Sequence, residues 1–167
     1  MILSAPTILF LTALPFCIWA ALTDLRHMKI YNKTNLGLFF AFVIVGLGMI
    51  AMGGFTWELY ALRIAQGALM LVIGFLLNHF GYMGGGDSKF IGAMAPYIAM
   101  QDATKFLMLL AAMALVTVVL HRGIGAIAPL QPHLVGWKSW QVSKKFPYGL
   151  TLSSALLIYL AMAANAG

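Results

Sequence analysis

The chain has 167 residues, 62% of them hydrophobic and only 8% charged, with a net charge of +6. Soluble domains average about 45–50% apolar and about 25% charged residues, so a water-soluble globular protein is excluded. The basic excess does not form runs interleaved with aromatics on a polar face, which argues against nucleic-acid binding. Basic residues flanking apolar stretches instead face anionic lipid and set orientation.

A membrane-crossing helix needs about 20 apolar residues, and the hydrophobic pattern predicts six spans in one domain, residues 1–167. The first runs over 2–22, with Cys17 inside it as a small packing residue. No basic residue precedes this run and several follow it, which retains it as a span with its N-terminus outside rather than as a cleavable signal. The second span covers 36–53 and the third 59–80, followed by a glycine-rich break at 81–86. A short fourth span covers 89–100 and a fifth 104–120. A polar stretch over 122–147 precedes the last span, 149–164.

The fourth span is short for a hydrocarbon core of about 30 Å, and a single helix kinked at Pro96 over 89–120 would give five spans instead. Charge decides between them. With six spans, one side carries Arg26, Lys29, Lys33, Lys89, Arg122, Lys138, Lys144 and Lys145, the other only Arg63 and Lys105. This asymmetry predicts an all-α polytopic protein of about six spans, the fourth short, with both termini on the outer side.

The chain has four acidic residues, Asp24, Glu58, Asp87 and Asp102. In the six-span topology, Glu58 and Asp102 fall in outer loops, where water solvates them. Asp24 and Asp87 lie at apolar boundaries on the inner face, and ionisable groups at such depth point to function. Gly84-Gly85-Gly86-Asp87 opens a helix: glycine permits positive φ and close approach of another chain, and Asp87 is placed as the N-cap of the helix beginning at Ser88. Two neighbouring aspartates share a proton more readily than both ionise. The charged one can activate water, while the protonated one polarises a carbonyl and then protonates a leaving amine. Lys89 is available for a substrate carboxylate or a lipid phosphate.

The remaining polar residues carry less. His27, His79, His121 and His133 make no metal-ligand spacing, so neither metal nor cofactor is expected. His27 and His121 are placed at headgroup level. Ser153 and Ser154 are expected to pack helices or bond backbone carbonyls. Arg63 is expected to snorkel or to pair with Glu58 or Asp102. Trp137 and Trp140, flanking Lys138, suit a segment lying on the membrane surface.

Gly84 to Asp87, followed by Ser88-Lys89-Phe90, resembles the second catalytic motif of the type IV prepilin peptidases. Asp24 to Asn32 resembles their first motif, an aspartate followed by Ile-Pro-Asn: Ile30 and Asn32 fit, and Tyr31 stands where proline is usual. Pro147-Tyr148-Gly149 is similar to a further segment of that family. The resemblance implies an aspartic peptidase of the bacterial inner membrane with Asp24 and Asp87 as its catalytic pair. It would cut prepilins or pseudopilins at the cytoplasmic face, after a glycine that ends a short basic leader, with Gly84, Gly85, Gly86, Lys89 and Asn32 shaping the site. Larger members carry a cytoplasmic insert with paired CxxC zinc ligands and also methylate the new N-terminus. This sequence resembles the short form associated with Flp/tight-adherence pili, which leaves methylation open. Two other readings stand beside it: a small proton-coupled transporter or channel subunit using the aspartates as a relay, and a non-catalytic assembly partner of a secretion machine.

Overall fold

The computed structural model describes residues 4–127, 135–141 and 146–165. The described residues form seven α-helices and no strand: α1 (Ala5–His27), α2 (Asn32–Ala51), α3 (Trp57–His79), α4 (Gly85–Met94), α5 (Ala103–Ala126), α6 (Lys138–Gln141) and α7 (Tyr148–Asn165). Five stretches are long and apolar enough to cross a membrane: α1, α2, α3, α7, and α5 with the turn preceding it. The protein is therefore an all-α polytopic membrane protein. The residues at 2–3, His133, Lys144, Lys145 and Gly167 lie outside the described set.

Local chemistry explains the ends that matter for the site. Helix α1 starts with Pro6 in its first turn, where a missing N–H costs nothing. It closes on Met28, a left-handed residue (φ 56°) whose N–H donates to Asp24 O at 2.8 Å. This cap reverses the chain within one turn of Asp24, so the loop at residues 28–31 folds back over the helix end. Thr56 caps α3 by accepting the Leu59 N–H at 3.1 Å.

The fourth segment differs from a regular span. α4 has only ten residues, and 3-10 turns at Ala95–Tyr97 and Met100–Asp102 carry the chain onward. A single helix kinked at Pro96 is thus ruled out, because the chain leaves helical geometry twice before α5. The segment sits inside the bundle: Phe90 and Tyr97 are wholly buried, and the Tyr97 hydroxyl donates to Leu38 O at 2.9 Å. Glycines let α3 lie close against it. A Cβ on Gly74 would fall 2.8 Å from Ser88 O, and one on Gly67 would fall 2.8 Å from Pro96 Cγ. On the other side of the bundle α1 packs along α7, with Ala13, Cys17 and Ala20 fully buried beside Ala155 and Leu156.

At the end remote from Asp24, polar side chains finish α4. Gln66 Nε2 donates to Ala95 O (3.0 Å) and Ile98 O (3.3 Å), and Arg63 Nη1 donates to Pro96 O (3.1 Å). Arg63 thus satisfies a carbonyl that a helix end leaves open and makes no ion pair with Glu58 or Asp102 among the described residues, the second of the two roles expected for it. Asp102 pairs with Lys105 (3.0 Å) and accepts from the Tyr159 hydroxyl (3.1 Å). Ser154 bonds the carbonyls of Leu150 and Thr151 as expected, and Ser153 is buried.

Aromatic contacts hold the polar stretch against the helix ends. His121 is buried: it stacks on Trp140 with ring centroids 4.5 Å apart, and Trp140 Nε1 donates to His121 O at 2.9 Å. Arg26 sits over the Trp137 ring at 5.0 Å. Both tryptophans are thus held on the ends of α1 and α5 by stacking and cation–π contact.

Candidate active site

Asp24 lies in the last turn of α1 and is buried, with 5% of its surface exposed. An acid there needs partners, and it finds them at the start of α7. Asp24 Oδ2 accepts the Gly149 N–H at 2.6 Å, and the Leu150 N–H lies beside it. These are among the N–H groups a helix start leaves without intrahelical partners. A carboxylate from a helix 125 positions away in sequence therefore caps α7. The fit leaves no room at Gly149: a Cβ there would lie 2.9 Å from Asp24 Cβ, Asp24 Oδ2 and Ile30 Cδ1 alike.

Asp87 stands in the first turn of α4, but not as its N-cap. The helix starts at Gly85, so Gly84 is the N-cap and Asp87 the third helical residue. A Cβ on Gly84 would come within 2.7 Å of Asp87 Oδ2, so the carboxylate lies back over the helix start as an acid at this position does in a capping box. The glycines also act differently from expectation. Gly84 has φ −69°, and the positive-φ glycines among the described residues are Gly53 and Gly81. The close approach at Gly86 is made by the chain itself, since a Cβ there would lie 2.9 Å from Ile30 O. Gly85 alone has ordinary clearance, its nearest neighbour being Asn78 at 3.8 Å.

The two motifs are held together by direct contacts. Asn35 Nδ2 donates to Gly86 O at 3.1 Å, and Lys89 Nζ donates to Asn32 Oδ1 at 3.0 Å. With Ile30 O against Gly86, these contacts fix the start of α4 to the start of α2. The result is a cavity of about 400 Å³ that both aspartates line, with Lys29, Ile30, Tyr31, Asn32, Gly84 to Gly86 and Lys89 around it. Every residue assigned to the site from sequence therefore lies at this cavity: Asp24, Asp87, Gly84, Gly85, Gly86, Lys89 and Asn32.

Two residues that serve the site were not singled out for it. Asn35 is 4% exposed in an otherwise apolar helix, and an amide in such a place is itself a signal of a tertiary bond. Gly149 was visible only as part of Pro147-Tyr148-Gly149. Pro147 immediately before α7 marks a helix start, and a helix start supplies the free N–H groups that Asp24 uses.

Residues 11–121 match the sequence profile of the type IV leader peptidase family, a stretch that holds both aspartates and ends before α7. No curated protein and no solved structure matches the chain. The profile spans well over half of the chain: the protein belongs to the type IV leader peptidase family and is a peptidase.

Proposed function

We propose that this member of the type IV leader peptidase family is an aspartic endopeptidase that removes the short basic leader from prepilins or pseudopilins, with Asp24 and Asp87 as its catalytic pair. The observation that carries the reading is that two acids from separate helices line one cavity at one end of the bundle. The other two acids do not share it: Asp102 is engaged with Lys105 and Tyr159, and Glu58 sits in the first turn of α3. The charge asymmetry supports placing the aspartate end at the cytoplasmic face of a bacterial inner membrane, with both termini on the far side and residues 1–167 acting as a single transmembrane peptidase domain.

The chemistry follows from the pair. Two carboxylates brought to one cavity share a proton more readily than both ionise, and such a pair titrates as a unit. The ionised member takes a proton from a water molecule, whose oxygen attacks the scissile carbonyl carbon. The protonated member donates to the carbonyl oxygen as it gains charge. Collapse of the tetrahedral intermediate breaks the C–N bond, and the departing nitrogen takes a proton from the pair. No covalent enzyme intermediate forms. The bonds from Gly149 and from the start of α4 keep both carboxyl groups from turning away, which is the orientation this mechanism needs.

The test is cleavage of a co-expressed prepilin in membranes, followed by the size shift on a gel, with Asp24→Asn and Asp87→Asn made singly. Asn retains the acceptor oxygen that Gly149 N–H needs, so Asp24→Asn removes charge without removing the helix cap. Each variant is expected to lose cleavage while keeping its expression level. Normal cleavage by either variant would refute the pair, and proton flux in vesicles without any cleavage would favour the relay reading.

A further inference from the structure

A second cavity, of about 520 Å³, lies between α2 and α3 over the small residues of α4. It is apolar, walled by Phe39 and Phe40 on one side and Leu71 and Phe75 on the other, with Gly92 in its floor. It opens to the bilayer: Phe40 is 54% exposed and Phe75 46%. Its shape follows from how the helices meet. At the end remote from the aspartates, α2 and α3 are pinned together. Tyr60 stacks on Phe42 at 6.1 Å, its hydroxyl donates to Val43 O, and its ring occupies the space a Cβ on Gly46 would need. Toward the aspartate end α4 separates the two helices, so the slot is a wedge, closed at its outer end and open inward.

We propose that this wedge receives the membrane-spanning helix of the substrate side-on, and that the leader crosses the Asn32–Lys89 contact to reach the aspartates. The inference rests on the peptidase reading and adds where the substrate is held. Continuity carries it first, because Asn32 and Lys89 line both cavities. The wall on α3 runs from Ile64 to Phe75, about 16 Å at 1.5 Å per residue, so the slot holds the half of a roughly 30 Å spanning helix that lies nearest the catalytic cavity. Polarity agrees too. A peptide bond is cut only outside a regular helix, and the backbone groups freed at membrane depth need partners. Among the residues lining the slot, the amide and ammonium groups are those of Asn32, Asn35 and Lys89, next to the catalytic cavity. Asn35 Oδ1 is buried and has no partner, so it can accept a substrate N–H while its Nδ2 stays on Gly86 O.

Photo-crosslinking tests the placement. Benzoylphenylalanine replaces Phe40, Phe75 or, as a lipid-facing control on α5, Leu115, in the Asp87→Asn background. The probe substrate is a prepilin with a basic leader ending in glycine and one apolar helix of about 20 residues. Substrate adducts are expected at positions 40 and 75 and not at 115. Equal adducts at 115, or adducts at 40 and 75 only to lipid or to a second copy, would overturn the proposal. In the otherwise unaltered enzyme, Ala68→Leu fills the wedge and is expected to raise KM for the anchored probe about tenfold, the equivalent of a modest overpacking penalty, with kcat within about twofold. An unchanged KM would also overturn it. Failure of the peptidase reading itself reads differently: the unaltered chain then cleaves no probe at all.

Discussion

Gly149→Ala tests whether the α7 cap sets the position of Asp24. The added methyl would lie 2.9 Å from Asp24 Cβ, Asp24 Oδ2 and Ile30 Cδ1. Carbon atoms rest at about 3.5–4.0 Å, so the overlap is about 0.6 Å or more. None of the neighbours yields freely. Asp24 is in the last turn of α1, and Ile30 is held by its carbonyl against Gly86. Overpacking of this kind costs about 1–3 kcal/mol, and the better helix propensity of alanine returns about 0.5–1 kcal/mol. The net cost is about 0–2.5 kcal/mol, a fall in Tm of up to several degrees for a chain of this size. Activity is expected to suffer more, because a catalytic group displaced by about 1 Å can cost about a hundredfold in rate. The assay pairs prepilin cleavage in detergent micelles with thermal unfolding of the same sample. Gly48→Ala is the matched control: its Cβ meets nothing within 4 Å, so Tm should rise slightly and the rate hold. A Gly149→Ala enzyme with unchanged Tm and a rate within about twofold of the parent would refute the idea that the cap positions Asp24.

Gly74→Ala places a methyl 2.8 Å from Ser88 O and 3.1 Å from Ser88 Cα. Backbone atoms cannot rotate away, so α4 must shift next to Asp87, and a loss of cleavage of at least about tenfold is expected on gel assay. Asn35→Ala removes the side-chain donor to Gly86 O, one of the contacts that hold α4 to α2, and should lower stability by about 0.5–1.5 kcal/mol in a denaturation series; Asn35→Asp, which sets oxygen against oxygen, should lower it more. Gln66→Leu strips two carbonyls at the far end of α4 and should lower Tm while KM for prepilin is unchanged. Tyr31→Pro should be tolerated: Tyr31 has φ −77° and ψ 145°, inside the range proline imposes, so Tm is expected to hold or rise slightly.

What the sequence could and could not reveal divides along physical lines. The five long spans and the isolation of Asp24 and Asp87 were legible because hydrophobic length and charge asymmetry are one-dimensional signals. The true end of α4 was not, since Pro96 could equally kink a helix or stop one. The choice depends on Arg63 and Gln66, more than 25 positions upstream, supplying donors to the freed carbonyls. Glycines were the most easily misread. Three in a row before Asp87 suggest conformational freedom, yet Gly84 has φ −69° and Gly86 is small because Ile30 O rests on it. A glycine needed for contact and one needed for φ look identical in a sequence. The same holds for Asp24, whose acidity the sequence exposes but whose second task it hides. Its carboxylate fastens α7 to α1 through the Gly149 N–H, and Gly149 lies beyond the stretch that the family profile matches. In the proposed mechanism one buried acid carries both chemistry and a helix cap. It follows that Asp24→Ala, which removes both, should destabilise the protein, whereas Asp24→Asn, which keeps an oxygen for Gly149, should leave Tm nearly unchanged and still abolish cleavage.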